Sequence, residues 1–354
     1  MKKHALYTLI ALSILVICFE GCETRPEHPK MSAEWRSLDN SGLIEVRHLL
    51  YVPETQSILA GGIPKEDMSG ISRYDLSRED WATPPAEAPL NCQVSWMSKQ
   101  NDGIWASFFK TSDSPGALRV SHDNGMVFSE EIPLPEDSDP RCFLVGGEES
   151  SHILLGTVNA GIYISDDRGE TWRQPQTPIS DTNIQCFAGN KIRPGHILAG
   201  TLASGLWETF DGGENWASIS SRIPAVDFLV VDVSAHPLKD DCFVCIYRSQ
   251  GEAFVTITTD GAKTWKPIQE GFYSDTQPRC IAFHPSKPET MFAGTVMDGV
   301  YQTDNLGETW YPINNGLPLK NTLIIAHRLM AVGQDNPSLY AGLNYQGFVY
   351  KLKL

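Results

Sequence analysis

An eight-residue pattern recurs down this chain and constrains its fold more than any other feature. Residues 165–172 read Ser-Asp-Asp-Arg-Gly-Glu-Thr-Trp, and residues 209–216, 258–265 and 303–310 repeat the form, the last with Asn305 in the Asp place. Residues 121–128 make a further copy that closes on Phe128. Two weaker copies complete the series: residues 74–81 have lost the Gly, and the stretch opened by Trp35 parallels the one opened by Trp310. The closing aromatics fall at 35, 81, 128, 172, 216, 265 and 310, spaced by 46, 47, 44, 44, 49 and 45 residues. A unit of about 45 residues is what one four-stranded blade of a β-propeller requires.

A second signal repeats ahead of the copies: a short apolar run, Ala/Gly-Gly/Thr, then a loop, then Gly-apolar-aromatic. It reads Ile153–Thr157 then Gly161-Ile162-Tyr163, Ile197–Thr201 then Gly205-Leu206-Trp207, and residues 291–295 then Gly299-Val300-Tyr301. Short runs rich in β-branched and aromatic residues, joined by Gly-bearing turns, predict antiparallel strands. Seven such Gly-led strands occur, near 70, 116, 161, 205, 253, 299 and 347, and the seventh reaches Leu354 with no closing pattern after it. The Trp35 segment is the reverse, an outer strand with no inner strands before it. Joining the two gives an all-β, seven-bladed propeller over 34–354, its ring closed by the N-terminal strand, with no exposed sheet edge at the seam.

The repeated pattern S/T-x-D-x-G-x-x-W is the Asp box. Its Asp and Ser/Thr can satisfy the N–H groups of the turn between a blade's third and fourth strands. Its Gly takes a positive φ, and its Trp packs beneath the turn. Asp123, Asp167, Asp211, Asp260 and Asn305, with Trp172, Trp216, Trp265 and Trp310, are therefore read as structural. The Asn at 305 argues against a calcium set, since loss of a carboxylate weakens such a site. Neither a metal nor a cofactor is expected.

The chain opens on Lys2 and Lys3, runs apolar from Ala5 to Phe19, and then reads Gly21-Cys22. A positive start and a short apolar core make an export signal too short for a spanning helix. Cys22 after Gly21 resembles a bacterial lipoprotein signal, with Glu20 as a departure from the usual small or apolar residue. The expected organisation is a signal over 1–21, a polar, Pro-spaced tether over 22–33, and the propeller. Cys22 is then the lipidated residue, holding an extracytoplasmic protein to a bacterial membrane at the cell surface or in the periplasm.

The formal net charge is −15, and −16 without residues 1–21, which hold Lys2, Lys3 and Glu20. So acidic a domain repels nucleic acid, and a monomer is expected. Of the six cysteines beyond 22, Cys142, Cys186 and Cys280 occupy equivalent first-strand places, which favours small residues buried between blades. Cys242 and Cys245 lie three apart in a strand, where side chains point to opposite faces, so a CxxC redox turn is excluded.

One polar feature recurs without a structural task. Aligned on the Gly-Thr signal, Arg47 or His48, Arg141, Gln185, Arg279, and His327 or Arg328 stand at related first-strand starts. The site candidates are Arg47, Arg141, Gln185, Arg279 and Arg328. Arginines ringing a channel mouth can clamp carboxylates through paired donors. The competing reading pairs them internally with Glu45, Asp139, Asp232 or Glu289.

The boxes make the chain resemble Asp-box propellers in general: sialidases, xyloglucan-cleaving endoglucanases, sortilin-type receptors and the photosystem II assembly-factor propellers. A sialidase implies six blades and an Arg-Ile-Pro motif near its start, whereas Arg222-Ile223-Pro224 lies mid-chain in a repeat position. The endoglucanases imply two facing propellers, and 321 residues from Glu34 to Leu354 make only one. The assembly factors imply seven blades, an export signal and an arginine patch. The expectation is a non-catalytic, membrane-anchored scaffold that binds a protein partner or acidic ligand. A glycoside hydrolase acting on extracellular glycans is the alternative.

Overall fold

A computed structural model describes residues 33–66, 68–82, 92–109, 116–147, 150–189, 193–319, 326–333, 337–344 and 348–354. The expected signal segment and Cys22 lie outside the described residues, as does the tether up to residue 32. The described residues form seven antiparallel sheets, each running outward in chain order from an innermost first strand. In blades 1 to 7 those first strands are Leu43–Val52, Val94–Gln100, Pro140–Gly146, Ile184–Gly189, Leu229–Ala235, Gln277–Phe283 and Ala326–Val332. This is the seven-bladed propeller the box spacing predicts.

The seam closes as expected. Arg36–Asn40 pairs antiparallel with Phe348–Lys353, with Arg36 opposite Lys351 and Ser37 opposite Tyr350, and supplies the fourth strand of blade 7. Trp35 is buried, and its indole N–H donates to the Ile313 carbonyl of blade 6 at 2.5 Å. Blade 3 departs from the four-stranded expectation. Its sheet has three strands, and only an isolated bridge between Ile164 and Arg173 stands where a fourth would lie. Pro175 and Pro178 follow directly, and proline has no N–H to extend a ladder.

Buried apolar side chains gather in seven clusters, one between each adjacent pair of blades. One joins Leu43, Val46 and Tyr74 of blade 1 to Tyr340 and Val349 of blade 7, so the series runs around the seam. Cys142, Cys186 and Cys280 sit in these clusters, buried and without disulfides, as expected from their equivalent positions. Cys242 and Cys245 fall in different clusters, on opposite faces of their sheet.

The box chemistry is explicit in the turns. The Ser165 hydroxyl donates to Asp167 at 2.8 Å and accepts the Gly169 N–H at 2.7 Å, and Asp167 accepts the Thr171 N–H at 2.8 Å. Asp211, Asp260 and Asn305 repeat this with Asn215, Thr264 and Thr309. The hydrogen bonds from the Thr171 and Thr264 side chains and backbones hold Asp167 and Asp260 down at about 2. These side-chain oxygens act on the turn's own backbone.

The closing aromatics are less uniform than expected. Trp35, Trp216, Trp265, Trp310 and Phe128 are buried, but Trp81 and Trp172 are half-exposed. Trp81, Trp172 and Trp310 donate their indole N–H to Leu38, Pro133 and Ile268 carbonyls of the preceding blade. Truncation therefore has unequal effects. Trp216→Ala should cost about 3–5 kcal/mol as a buried aromatic, and Trp172→Ala about 1–2 kcal/mol. Denaturant unfolding of the two variants should show the smaller loss for Trp172.

Candidate functional site

Every first strand carries an irregularity at the same place. Pairing with the second strand skips one residue between Val46 and His48, Val94 and Trp96, Pro140 and Cys142, Ile184 and Cys186, Val230 and Asp232, Pro278 and Cys280, and Ala326 and Arg328. A bulge of this kind leaves one residue unpaired and redirects its side chain. The residues skipped by the ladder register are Arg47, Ser95, Arg141, Gln185, Val231, Arg279 and His327. Glycine often stands opposite the residue that follows, as Gly156 does for Cys142 and Gly342 for Arg328. A Cβ on Gly200 would come within 2.4 Å of Val230 in blade 5, so the Gly-Thr signal is where the next blade's first strand packs close.

Arg47, Ser95, Arg141, Gln185, Val231 and Arg279 line a cavity of about 430 Å³ at one mouth of the channel. All five sequence candidates line it: Arg47, Arg141, Gln185, Arg279 and Arg328. Strand pairing decides between the alternatives left at two of these positions. Arg47, Arg141, Gln185 and Arg279 are bulge residues, but Arg328 is not; its counterparts are His48 and Cys142, the residues after the bulge.

The cavity brings together four guanidinium groups and two carboxylates. Arg47 is paired internally, with Glu45 at 2.7 Å and Gln93 at 3.2 Å. Arg141 and Arg328 have no carboxylate within ion-pair distance among the described residues. They lie instead over aromatic rings, Arg141 at 5.9 Å from Phe109 and Arg328 at 5.2 Å from Trp96. Burial lowers the pKa of Arg141, and Arg47 nearby adds to the effect. Burial also lowers that of Arg279, which Glu45 partly offsets and Arg248 and Arg141 reinforce. Asp139 acts on Arg141 only through its field, and Glu289 pairs with Lys239 at 2.9 Å rather than with the ring.

Burial raises the pKa of Asp232 above the usual carboxylate range, against the opposing pull of Arg328 and Arg279. His48 is pushed well below the ordinary histidine value, first by burial and then by Arg328. Neither His48 ring nitrogen has a hydrogen-bond partner among the described residues, and the ring lies 5.0 Å from that of Trp96. Sequence reasoning missed Trp96 and Phe109 as wall residues, and named Asp232 only as a counter-ion. Their shared signal was position: Trp96 and Asp232 directly follow bulge residues.

The structure is thus an Asp-box β-propeller with a polar, arginine-lined channel mouth. Residues 163–174 match the BNR/Asp-box repeat family. Among solved structures, YCF48 bound to D1 peptide superposes with a TM-score of 0.67 at 13% identity, covering 93% of this chain and 97% of that one. YCF48 from Cyanidioschyzon merolae gives 0.65 at 14%, over 90% and 98%. The GH74 xyloglucanase from Xanthomonas campestris gives 0.59 at 17%, over 79% of this chain and 46% of that one. No curated protein sequence matches the chain. These likenesses establish the fold.

His48 makes the site sensitive to acid. Its folded pKa is depressed, so below about pH 6.5 the unfolded chain takes up a proton that the folded chain refuses, and stability falls with pH. His236 and His284, also lowered by burial, act in the same direction, whereas His122, raised chiefly by its hydrogen bond with Glu130, acts against them. His48→Leu should flatten the loss of stability between pH 7 and pH 5.5, measured by denaturant unfolding at each pH. An unchanged slope would place that proton uptake elsewhere.

Proposed function

We propose that this protein is a non-catalytic scaffold that docks an acidic segment of a protein partner at the arginine-lined mouth. The observation that carries the reading is the cavity itself. Four guanidinium groups converge there on a chain of net charge −15, and two of them, Arg141 and Arg328, lack carboxylate partners among the described residues. Holding desolvated cations together opposes folding, and an incoming carboxylate relieves it through charge-assisted hydrogen bonds. The chain's other charges oppose this little, because separations beyond about 8–10 Å are screened at physiological salt. YCF48 bound to D1 peptide is a propeller of the same fold holding a peptide, and this supports the docking mode.

The proposal places the disc at an extracytoplasmic membrane face, tethered through Cys22. The support is Gly21-Cys22 after the apolar run from Ala5 to Phe19, followed by a polar tether. Cys22→Ser should move the protein from the membrane to the soluble fraction on cell fractionation. Equal partitioning of the two forms would argue against the anchor.

Arg141→Gln with Arg279→Gln should leave the melting temperature unchanged or slightly higher, since two desolvated charges are removed. Quantitative co-purification from detergent-solubilised membranes should then lose partners that the unaltered protein retains. A partner set indifferent to both changes would sink the docking site.

A glycosidase reading has one observation in its favour: Glu45 and Asp232 line the same cavity, and Asp232 is held toward its protonated form as a general acid would be. The fold it shares with the GH74 xyloglucanase is consistent with this. Against it, Asp232 is buried, and Arg328 and Arg279 nearby favour its ionised form. Hydrolysis of β-glucans or sialosides that Asp232→Asn abolishes would establish the enzyme reading.

A further inference from the structure

Both ends of the inner hairpins are visible in the register. First strands begin, and second strands end, at the mouth that holds the arginines. Four of the exposed large hydrophobic residues fall at these ends. Ile44 is second in its first strand and 50% exposed, and Leu202 directly follows the second strand Ile197–Thr201 and is 44% exposed. Met297 directly follows Met291–Val296 and is 56% exposed, and Val226 precedes Leu229–Ala235 and is 67% exposed. The other exposed large hydrophobics among the described residues, Met126, Phe210 and Leu238, lie in box turns or a first-to-second hairpin, at the opposite ends of the strands.

Two of the four are tied to the ring by hydrogen bonds. The Leu202 N–H donates to the Asn183 carbonyl at 3.1 Å, two residues ahead of Gln185. The Val226 carbonyl accepts from the Ser249 hydroxyl at 2.7 Å, beside Arg248. Met297 adopts a φ of +76°, a region that resists a long side chain and favours glycine or asparagine. An apolar side chain is thus presented to water from a backbone that opposes it.

We infer that the arginine-lined mouth and these apolar residues form one docking surface for a polypeptide segment in which an acidic residue is flanked by apolar ones. The inference rests on the docking reading above and specifies the partner's chemistry. The acid enters the cavity, and its apolar flanks cover Leu202, Val226, Met297 and Ile44. A charged centre within an apolar border is the reverse of the usual interface, whose core is apolar and whose rim is polar. It therefore selects against segments that are acidic throughout. Charge complementarity favours a polypeptide over an anionic membrane: a surface of many negative headgroups would face the whole chain at −15, whereas a single carboxylate meets only the cavity.

The test uses the soluble Cys22→Ser protein and two pools of immobilised peptides. One pool has a central aspartate or glutamate with leucine and valine flanks, and the other has the same centre with serine and glycine flanks. The apolar-flanked pool should retain the protein better, and Leu202→Ser, Val226→Ser and Met297→Ser together should weaken that retention about tenfold or more. Equal retention on the two pools, or none on either, overturns the inference. If Arg141→Gln abolishes retention while the serine variant binds unchanged, the cationic site stands and the apolar border falls. If neither variant changes retention, both readings fall. Co-sedimentation with phosphatidylglycerol vesicles that the serine variant loses would overturn the polypeptide assignment and make the surface a membrane contact.

Discussion

Contact between neighbouring blades is the interaction on which the rest of this molecule depends. No sheet here could stand alone, because each exposes an apolar face that only the next blade covers. The seven clusters of buried side chains express that dependence, and so does the pairing of Arg36–Asn40 with Phe348–Lys353. Indole N–H groups of Trp35, Trp81, Trp172 and Trp310 reach carbonyls of the preceding blade, adding directional bonds to a non-directional burial. Once the ring closes, the first strands have no freedom to slide, and the channel they line becomes a rigid frame.

That rigidity is what makes the bulges consequential. A single skipped residue in a lone hairpin would alter local twist. Repeated in strands around an axis, it brings the side chains of Arg47, Ser95, Arg141, Gln185, Val231 and Arg279 to one mouth. Arg47, Arg141 and Arg279 meet there because the repeat places them in the same register, although more than forty residues separate each from the next. Their proximity opposes folding, and it is tolerated in part through Glu45, Asp232 and the faces of Phe109 and Trp96. The same arrangement leaves guanidinium groups ready for a carboxylate from outside.

Much of this was legible without coordinates. The box spacing identified seven blades, and the orphan Trp35 segment with the unfinished final repeat identified the seam. Alignment of repeats also singled out the five residues that share the cavity. It left Arg47 or His48, and His327 or Arg328, as alternatives, and only the strand pairing shows that Arg47 and His327 are the bulge residues. The uniform role expected of the closing tryptophans was not met. Trp81 and Trp172 carry the motif, yet their exposure depends on how the adjoining blade covers them, and proline-rich residues 173–178 leave blade 3 without a full outer strand.

The sequence alone determined the number of repeats, the turn chemistry of each box and the way the ring closes, because these follow from local hydrogen bonding and a fixed period. Tertiary structure decided which side chains face one another across the channel. Trp96 beneath Arg328, Phe109 beside Arg141, and His48 against Trp96 are contacts between different blades. Burial then shifted the pKa values of Asp232, His48, Arg141 and Arg279, with repulsion from neighbouring arginines adding to the shift for the last three. Such effects depend on distances of a few ångströms between residues remote in the chain, and only closure of the ring establishes those distances.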